Sequence, residues 1–485
     1  MHYPTRRAVL VSALATAAAA ALPRGTLAEP EIVLDDASHL NPTTVARHII
    51  VKDAEAATIE RIRAELKEAA AAGRPVAIGA ARHSMGGQSL ARGSTAFTFE
   101  TPFCMPDQAS GIYRVQAGAR WRDIIAALDP LGFSPAVMQS NNDFGVASTF
   151  SVNAHGWAVP HGPFGSTVRS LRLVLADGSI VTCSRDENPE LFRHVMGGYG
   201  LFGVILDLDV AMVPNVSLLP TFEPLPGPAF APRFVAVCHE PAVNMAYGRL
   251  DVSRKHFLEQ ALLVSYRPLP AGDLPPVQAG GAVSSLARDV YRAEIGSDLA
   301  KRFRWFMETT VGPRLSAGAV TRNTLLDEAV AVLAGHDPAR TDILHEYFVP
   351  PDRFPEFLAA CRDVILKSRQ DLLNVTLRYV AADPESTLAY APAQRIAAVM
   401  SFSQAKTAEA EADMQQMTRG LIERVLAIGG SFYLPYRLHA RREQVARAYA
   451  ALDEFTAAKR RYDPGLLFRN ALWEKWLAQP GPEKG

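Results

Sequence analysis

The stretch Pro75-Val-Ala-Ile-Gly-Ala-Ala-Arg-His-Ser-Met-Gly-Gly-Gln-Ser89 decides the fold. Val76, Ala77 and Ile78 read as a buried strand. Gly79, Ala80 and Ala81 carry so little side chain that the backbone after the strand can come close to a bulky anion and offer it N–H groups. A diphosphate fits that description. Arg82, His83, Ser84 and Met85 follow, and the Gly86-Gly87 bend with Gln88 places one imidazole and two hydrogen-bonding side chains beside the anion.

A second stretch, Gln139-Ser-Asn-Asn-Asp-Phe-Gly-Val-Ala-Ser-Thr-Phe-Ser-Val-Asn-Ala-His-Gly-Trp157, is equally rich in small residues. Backbone amides here can approach a flat ring and a diphosphate, while Ser148, Thr149, Ser151 and Asn153 supply short polar groups and Ala154, His155 and Gly156 follow. A third, Gly197-Gly-Tyr-Gly-Leu-Phe-Gly203, contains G-x-G-x-x-G at Gly198, Gly200 and Gly203. Its context is a helix entering (188–196) and a strand leaving (204–210), the reverse of the nicotinamide-dinucleotide fingerprint, so a Rossmann site is excluded.

Together these segments resemble the vanillyl-alcohol oxidase group of FAD-linked oxidoreductases, the PCMH-type flavoproteins, over about residues 41–213 and the tail from 430. The resemblance implies an α+β, two-domain fold with a mixed substrate-binding cap, and FAD as cofactor. It makes His83 the covalent attachment point through the flavin 8-methyl group, where the residue-level alternative is a loop histidine that only hydrogen-bonds its neighbours. It places the second segment around the flavin's pyrimidine edge and diphosphate, His155 beside the ring, and Gly203, Val204 and Ile205 at the adenine end. The turn Tyr462-Asp463-Pro464-Gly-Leu-Leu-Phe-Arg-Asn470 resembles the family's closing segment, which puts Asn470 near the isoalloxazine.

Lys plus Arg and Asp plus Glu both total 50, so no net charge advertises a nucleic-acid or anionic-membrane partner; the expected partner is a small-molecule substrate. The composition, 48% apolar and 21% charged, is that of a folded chain with a large core, and it leaves the oligomeric state open. Arg6-Arg7 before the Ala-rich run 9–22 reads as a twin-arginine signal over residues 1–28, too short for a stable membrane span. That implies export to the periplasm or medium after folding around a cofactor. Cys104, Cys183, Cys238 and Cys361 form no C-x-x-C pair and read as buried thiols, one disulfide remaining open. His155 and His161 stand six apart with no third ligand nearby, which fits no zinc pattern, so no metal is expected.

Along the chain the expected domains are a cofactor domain (41–217), a cap (218–430) and a C-terminal return (431–485). A helix over 54–72 starts at Asp53 and stops at Gly73; a strand (112–117), a helix after Arg120 and a hairpin (169–175 with 180–184, turning at Asp177-Gly178) follow. Prolines crowd 214–232 and mark a boundary. The cap has strands 342–349, 373–380 and 396–402, helix 407–427, and a helix over 284–309 read as a solvated element, with a lid over the site as the alternative. The return begins with a helix over 442–461.

Candidates for chemistry lie in the cap and tail: Glu346 on one strand, Thr376 and Arg378 on one face of another, and Tyr433, Tyr436, Arg437 and His439 near the return. Glu346, Arg378, Tyr436 and His439, with Asp143, are the expected catalytic set. In the aldonolactone and alditol oxidase branch a glutamate and an arginine two apart on a cap strand hold substrate hydroxyls; here Thr376 replaces that glutamate, and Glu346 is the candidate to take over. The cytokinin dehydrogenase branch resembles the chain in Val-Thr-Cys-Ser-Arg-Asp and Tyr433-Leu-Pro-Tyr436, and Asp143 is the counterpart of its base. The expected reaction is oxidation of a CH–OH group of a sugar lactone, polyol or other alcohol, with dioxygen as acceptor governed by a small residue such as Ala154. The alternatives are a dehydrogenase acting on CH–OH or CH–NH with another acceptor, and a non-catalytic periplasmic flavin-binding protein.

Overall fold

This computed structural model describes residues 31–478 apart from 271, 273, 278–281, 317, 331–334 and 336. The expected twin-arginine signal lies outside the described residues.

Apolar residues spaced for one helical face (Ile59, Ile62, Leu66 and Ala69, all buried) make Ala56–Ala71 an amphipathic helix. It begins two residues later than the sequence suggests, because the Asp53 carboxylate accepts the Glu55 N–H at 3.1 Å and so shapes the turn before the helix instead of capping it. Gly73, at φ +61°, ends it as expected, and three residues later the chain enters the strand Val76–Gly79. Arg47–Val51, Thr95–Phe99 and Val76–Gly79 form a parallel three-stranded sheet in that order.

A six-stranded antiparallel sheet follows. The hairpin Val168–Val174 with Ile180–Ser184 lies beside Val204–Pro214, then Ile112–Gln116 and Cys104–Asp107. Val204–Pro214 runs four residues further than expected because its far end pairs with Phe133–Pro135, a partner distant in sequence.

The cap is an eight-stranded antiparallel sheet ordered Val320–Thr321, Ser217–Pro226, Gln260–Pro268, Met245–Leu250, Asp371–Val380, Arg395–Ala405, Arg340–Val349, Ser431–Phe432. Ser217–Pro226 falls inside the proline-rich boundary and is nonetheless a strand. Pro220, Pro224 and Pro226 share one parity, so their missing N–H groups all face away from Gln260–Pro268 toward an edge covered only at Ser217 and Leu218. Helices Phe354–Ile365 and Ala408–Ala427 pack on one face of the sheet, with Thr407 capping the second by accepting the Ala410 N–H at 3.2 Å.

Two long helices expected from the sequence are each broken. The cap helix divides into Ala282–Ala293 and Asp298–Phe306 around Gly296 at φ +73°. The C-terminal one divides into Arg442–Ala448 and Leu452–Tyr462, because Tyr449 leaves the helix to bury its ring against Phe432 and donate its hydroxyl to the Phe432 carbonyl. The tail then joins the first sheet: the Val76 N–H donates to Leu467 O at 2.8 Å and the Arg469 N–H to Val76 O at 3.0 Å. From Val33 onward the described residues form one compact unit. Cys183, Cys238 and Cys361 are buried, Cys104 is half-buried, and all four are free thiols.

Candidate active site

A cavity of about 1000 Å³ lies between the small-residue segments and the open face of the cap sheet. Gly79, Ala80, Ala81, Arg82, His83, Ser84, Met85 and Gln88 all line it. Arg82 adopts the left-handed conformation at φ +53°, which turns the chain sharply after Ala81. The loop is locked from behind: Gln88 Nε2 donates to Leu434 O at 2.6 Å and Tyr436 O at 2.9 Å, and Met85 N–H to Pro435 O at 2.8 Å. A Cβ on Gly86 would sit 2.5 Å from Tyr436 O, so that bend admits no side chain. His83 stacks on Phe144 at 4.1 Å, and its Nε2 stands 4.0 Å from Asp143 Oδ2. Burial, against the opposing pull of Asp143, holds the imidazole below its usual pKa and therefore neutral near pH 7.

In the second segment Ser148, Ala154 and His155 line the cavity, while Thr149, Asn153 and Gly156 hold the segment in shape. The Thr149 hydroxyl donates toward Gln139 and Gly145 O and accepts from Trp121 Nε1 at 2.9 Å. Asn153, at φ +46°, accepts the Gly165 N–H and donates to Asp383. A Cβ at Gly156 would lie 2.0 Å from Met138 O, so that glycine serves backbone packing. Gly203 and Ile205 line the cavity and Val204 is buried beneath them. Asn470 is away from the cavity lining: its Nδ2 ties Gln88 O to Tyr199 O, both at 2.8 Å.

The cap contributes by strand alternation. Asp342, Leu344 and Glu346, then Val399, Ser401 and Ser403, then Asn374, Thr376 and Arg378 line the cavity from three adjacent strands. At the centre the Glu346 carboxylate is buried and bonded through Oε1 to His155 Nε2, while its Oε2 accepts the Tyr436 hydroxyl at 3.1 Å. Burial, then the nearby Glu346 charge, raises the Tyr436 phenol well above its usual range, so it remains a hydrogen-bond donor. Arg378 donates to Ser140 Oγ and reaches His155 O. Glu346, Arg378 and Tyr436 are thus brought together, and Asp143 lies apart from them beside His83. His439 lies outside the cavity lining, bonded to Glu411 at 2.9 Å and to Thr418 in the packed layer behind the sheet. Burial alone would raise the Glu411 carboxyl; hydrogen bonds from His439, Arg437 and Gln404 outweigh it and hold Glu411 below the carboxylate range.

The far wall comes from residues the sequence did not single out. Tyr247 and Arg249 share one face of Met245–Leu250; Tyr291, Arg292 and Arg304 come from the broken cap helix and Glu308 from the turn Met307–Val311 after it, which together cover the cavity. Alternation in Met-Ala-Tyr-Gly-Arg-Leu was the available signal for the first two.

Buried polar atoms usually find partners. Arg82 Nε, Trp157 Nε1 and His155 Nδ1 at the cavity, and Arg120 Nη1 behind Gly145, have none among the described residues. Burial, then the nearby Arg120 charge, depresses the Arg82 pKa, which marks two neighbouring cations suited to a diphosphate. Gly145 and Gly203 open the wall where a Cβ would press on Ala80 at 3.1 Å or Val174 O at 2.5 Å. These features fit a dinucleotide carrying a flat ring.

Residues 53–184 match the FAD binding domain family. The chain carries a PCMH-type FAD-binding domain. FAD is its cofactor, and the matches point to a family of FAD-binding oxidoreductases. A putative D-arabinono-1,4-lactone oxidase of Neurospora crassa is 32% identical over 112 residues, covering 23% of this chain and 20% of that protein. Cytokinin dehydrogenase 4 of Arabidopsis thaliana is 33% identical over 138 residues (27% and 26%), and cytokinin dehydrogenase 7 of Oryza sativa 31% over 209 residues (41% and 34%). The matched stretches therefore span about a fifth to a third of these relatives' lengths. The loops of the FAD-binding domain meet the cap at His155 and Glu346, one residue from each side of the cavity.

Proposed function

We propose that the chain is an FAD-dependent oxidoreductase that oxidises a CH–OH group of a small molecule, with FAD held covalently through His83 and dioxygen as the electron acceptor. The observation that carries this reading is the buried Glu346 carboxylate, shared between His155 from the flavin domain and Tyr436 from the return, in the cavity that the FAD loops line. When bound, FAD supplies a two-electron acceptor for the hydride that leaves the substrate carbon. Glu346, hydrogen-bonded to His155, takes the hydroxyl proton as the C=O bond forms. Tyr436 keeps the Glu346 carboxylate aimed, and Arg378 faces the substrate from the same side of the cap sheet. His83 is neutral and within the cavity wall, the state a nucleophilic attachment to the flavin requires. The twin-arginine segment supports assembly with cofactor before export to the periplasm or medium.

Acid precipitation of the purified protein should leave the yellow colour in the pellet, and His83→Ala should release it to the supernatant. Anaerobic addition of polyols, lactones and hydroxy acids should bleach the flavin, with hydrogen peroxide formed on re-aeration. Bleaching without peroxide identifies a dehydrogenase; inertness across the panel, with flavin bound, leaves a binding protein and overturns the catalytic reading.

A further inference from the structure

Arg249 and Arg378 line the middle of the cap sheet's open face, and neither has a carboxylate within ion-pair distance among the described residues. Two nearby arginines from the covering helices are neutralised. Arg292 is bound by Asp342 at 2.6 Å, and Arg304 by Glu294 and Glu308, both at 2.8 Å. Glu308 feels the Arg249 charge but is committed to Arg304. Arg249 uses one nitrogen, Nη1, to donate to Asn374 at 2.9 Å and Thr376 at 2.5 Å, and it lies over the Tyr247 ring at 5.5 Å. Arg249 pairs in register with Thr376, so Arg378, two residues on, is its diagonal neighbour on the same face, and the two cations repel one another. A pair of like charges kept together in a partly desolvated wall is stabilised by an oxyanion between them, and the guanidinium fork matches a carboxylate.

We infer that Arg249 and Arg378 clamp the carboxylate of the substrate, so that the molecule oxidised at Glu346 is a hydroxy acid. The inference rests on the oxidoreductase reading above and narrows its substrate class. The register also sets the length of that acid. Arg249 and Glu346 stand on one row, Arg249–Thr376–Val399–Glu346, three strand spacings or about 14 Å apart at their backbones. A span of that size favours a sugar-acid carbon chain over a two- or three-carbon hydroxy acid.

The test titrates the flavin-loaded protein with D-gluconate, D-sorbitol, D-glucose 6-phosphate and L-lactate, following perturbation of the flavin spectrum and, in parallel, heat by calorimetry. Gluconate should bind at least about tenfold more tightly than sorbitol or lactate. Arg249→Met should weaken gluconate about tenfold or more, leave sorbitol unchanged and raise KM more than it lowers kcat, while Arg249→Lys recovers part of the affinity. Circular dichroism melting establishes that the variants are folded. Equal affinity for gluconate and sorbitol, an unchanged gluconate Kd in Arg249→Met, or an Arg249-dependent preference for the phosphate ester overturns the carboxylate clamp. Anion binding with no bleaching by any substrate overturns the oxidoreductase reading and leaves the clamp standing.

Discussion

Glu346 and Thr376 flank the same residue, Val399, from the strands on its two sides. A carboxylate that resemblance would place at Thr376 is therefore supplied two strands away on the same row of the same sheet face. Thr376 is left with a different task, accepting hydrogen bonds from Arg249 and Asn374. Restoring the family pattern with Thr376→Glu would set a second carboxylate beside Arg249 and Arg378 and neutralise them; gluconate binding should fall while sorbitol binding holds, as calorimetry would read directly.

Removing the shared carboxylate should cost chemistry and not cofactor. Glu346→Gln keeps the shape but takes away the proton acceptor, so anaerobic stopped-flow should show flavin reduction slowed by about 10²- to 10⁴-fold with the flavin content of the purified protein unchanged. Tyr436→Phe, which removes one donor to Glu346, should slow reduction by less.

Acid should destabilise the layer behind the sheet. His345 is buried, and burial first, then the neighbouring His439, lowers its pKa to about 3, whereas the unfolded chain protonates it near the ordinary value of 6.5. Between those limits the unfolded state binds the extra proton, so stability falls as pH drops from about 6.5 toward about 3. Glu411, whose folded pKa is depressed, adds a loss of the same sign below its usual range. Melting temperatures recorded from pH 8 to pH 5 should decline, and His345→Gln should flatten the upper part of that decline.

The tail is a structural clasp for the cofactor loop. Asn470→Ala removes the donor to Gln88 O and Tyr199 O and leaves two buried carbonyls to find other partners, a cost of about 1–3 kcal/mol. A lower melting temperature and partial loss of bound flavin on gel filtration are expected; an unchanged melt would mean that the loop is held elsewhere.

Where structure depends on nearby residues, the sequence could be read. The amphipathic stripe of Ala56–Ala71, the Asp177-Gly178 turn of the hairpin and the small-residue approach at Gly79–Ala81 each declare themselves within a few positions. The inverted context of Gly198, Gly200 and Gly203 was likewise legible, with Pro189–Val195 entering and Val204–Pro214 leaving. Long-range pairing was not. Phe133–Pro135 extends a strand it meets from far away, and the prolines of Ser217–Pro226 mark an edge strand instead of a linker. In the site, the cofactor segments and Glu346 stood out by composition and residue type. Arg249 did not, because its meaning comes from a register with Thr376 and from the absence of an acidic partner, neither of which is local. His439 looked catalytic for the opposite reason: it follows Tyr436 closely in sequence but turns into the packed layer toward Glu411.

The hydrogen bonds from Val76 to Leu467 and from Asn470 to Gln88 join the first cofactor loop to residues close to the end of the chain. A polypeptide still being synthesised therefore has an open-sided cradle until its closing turn emerges. Loss of the turn at Leu467 would leave the first sheet with a bare edge at the very strand that leads to His83.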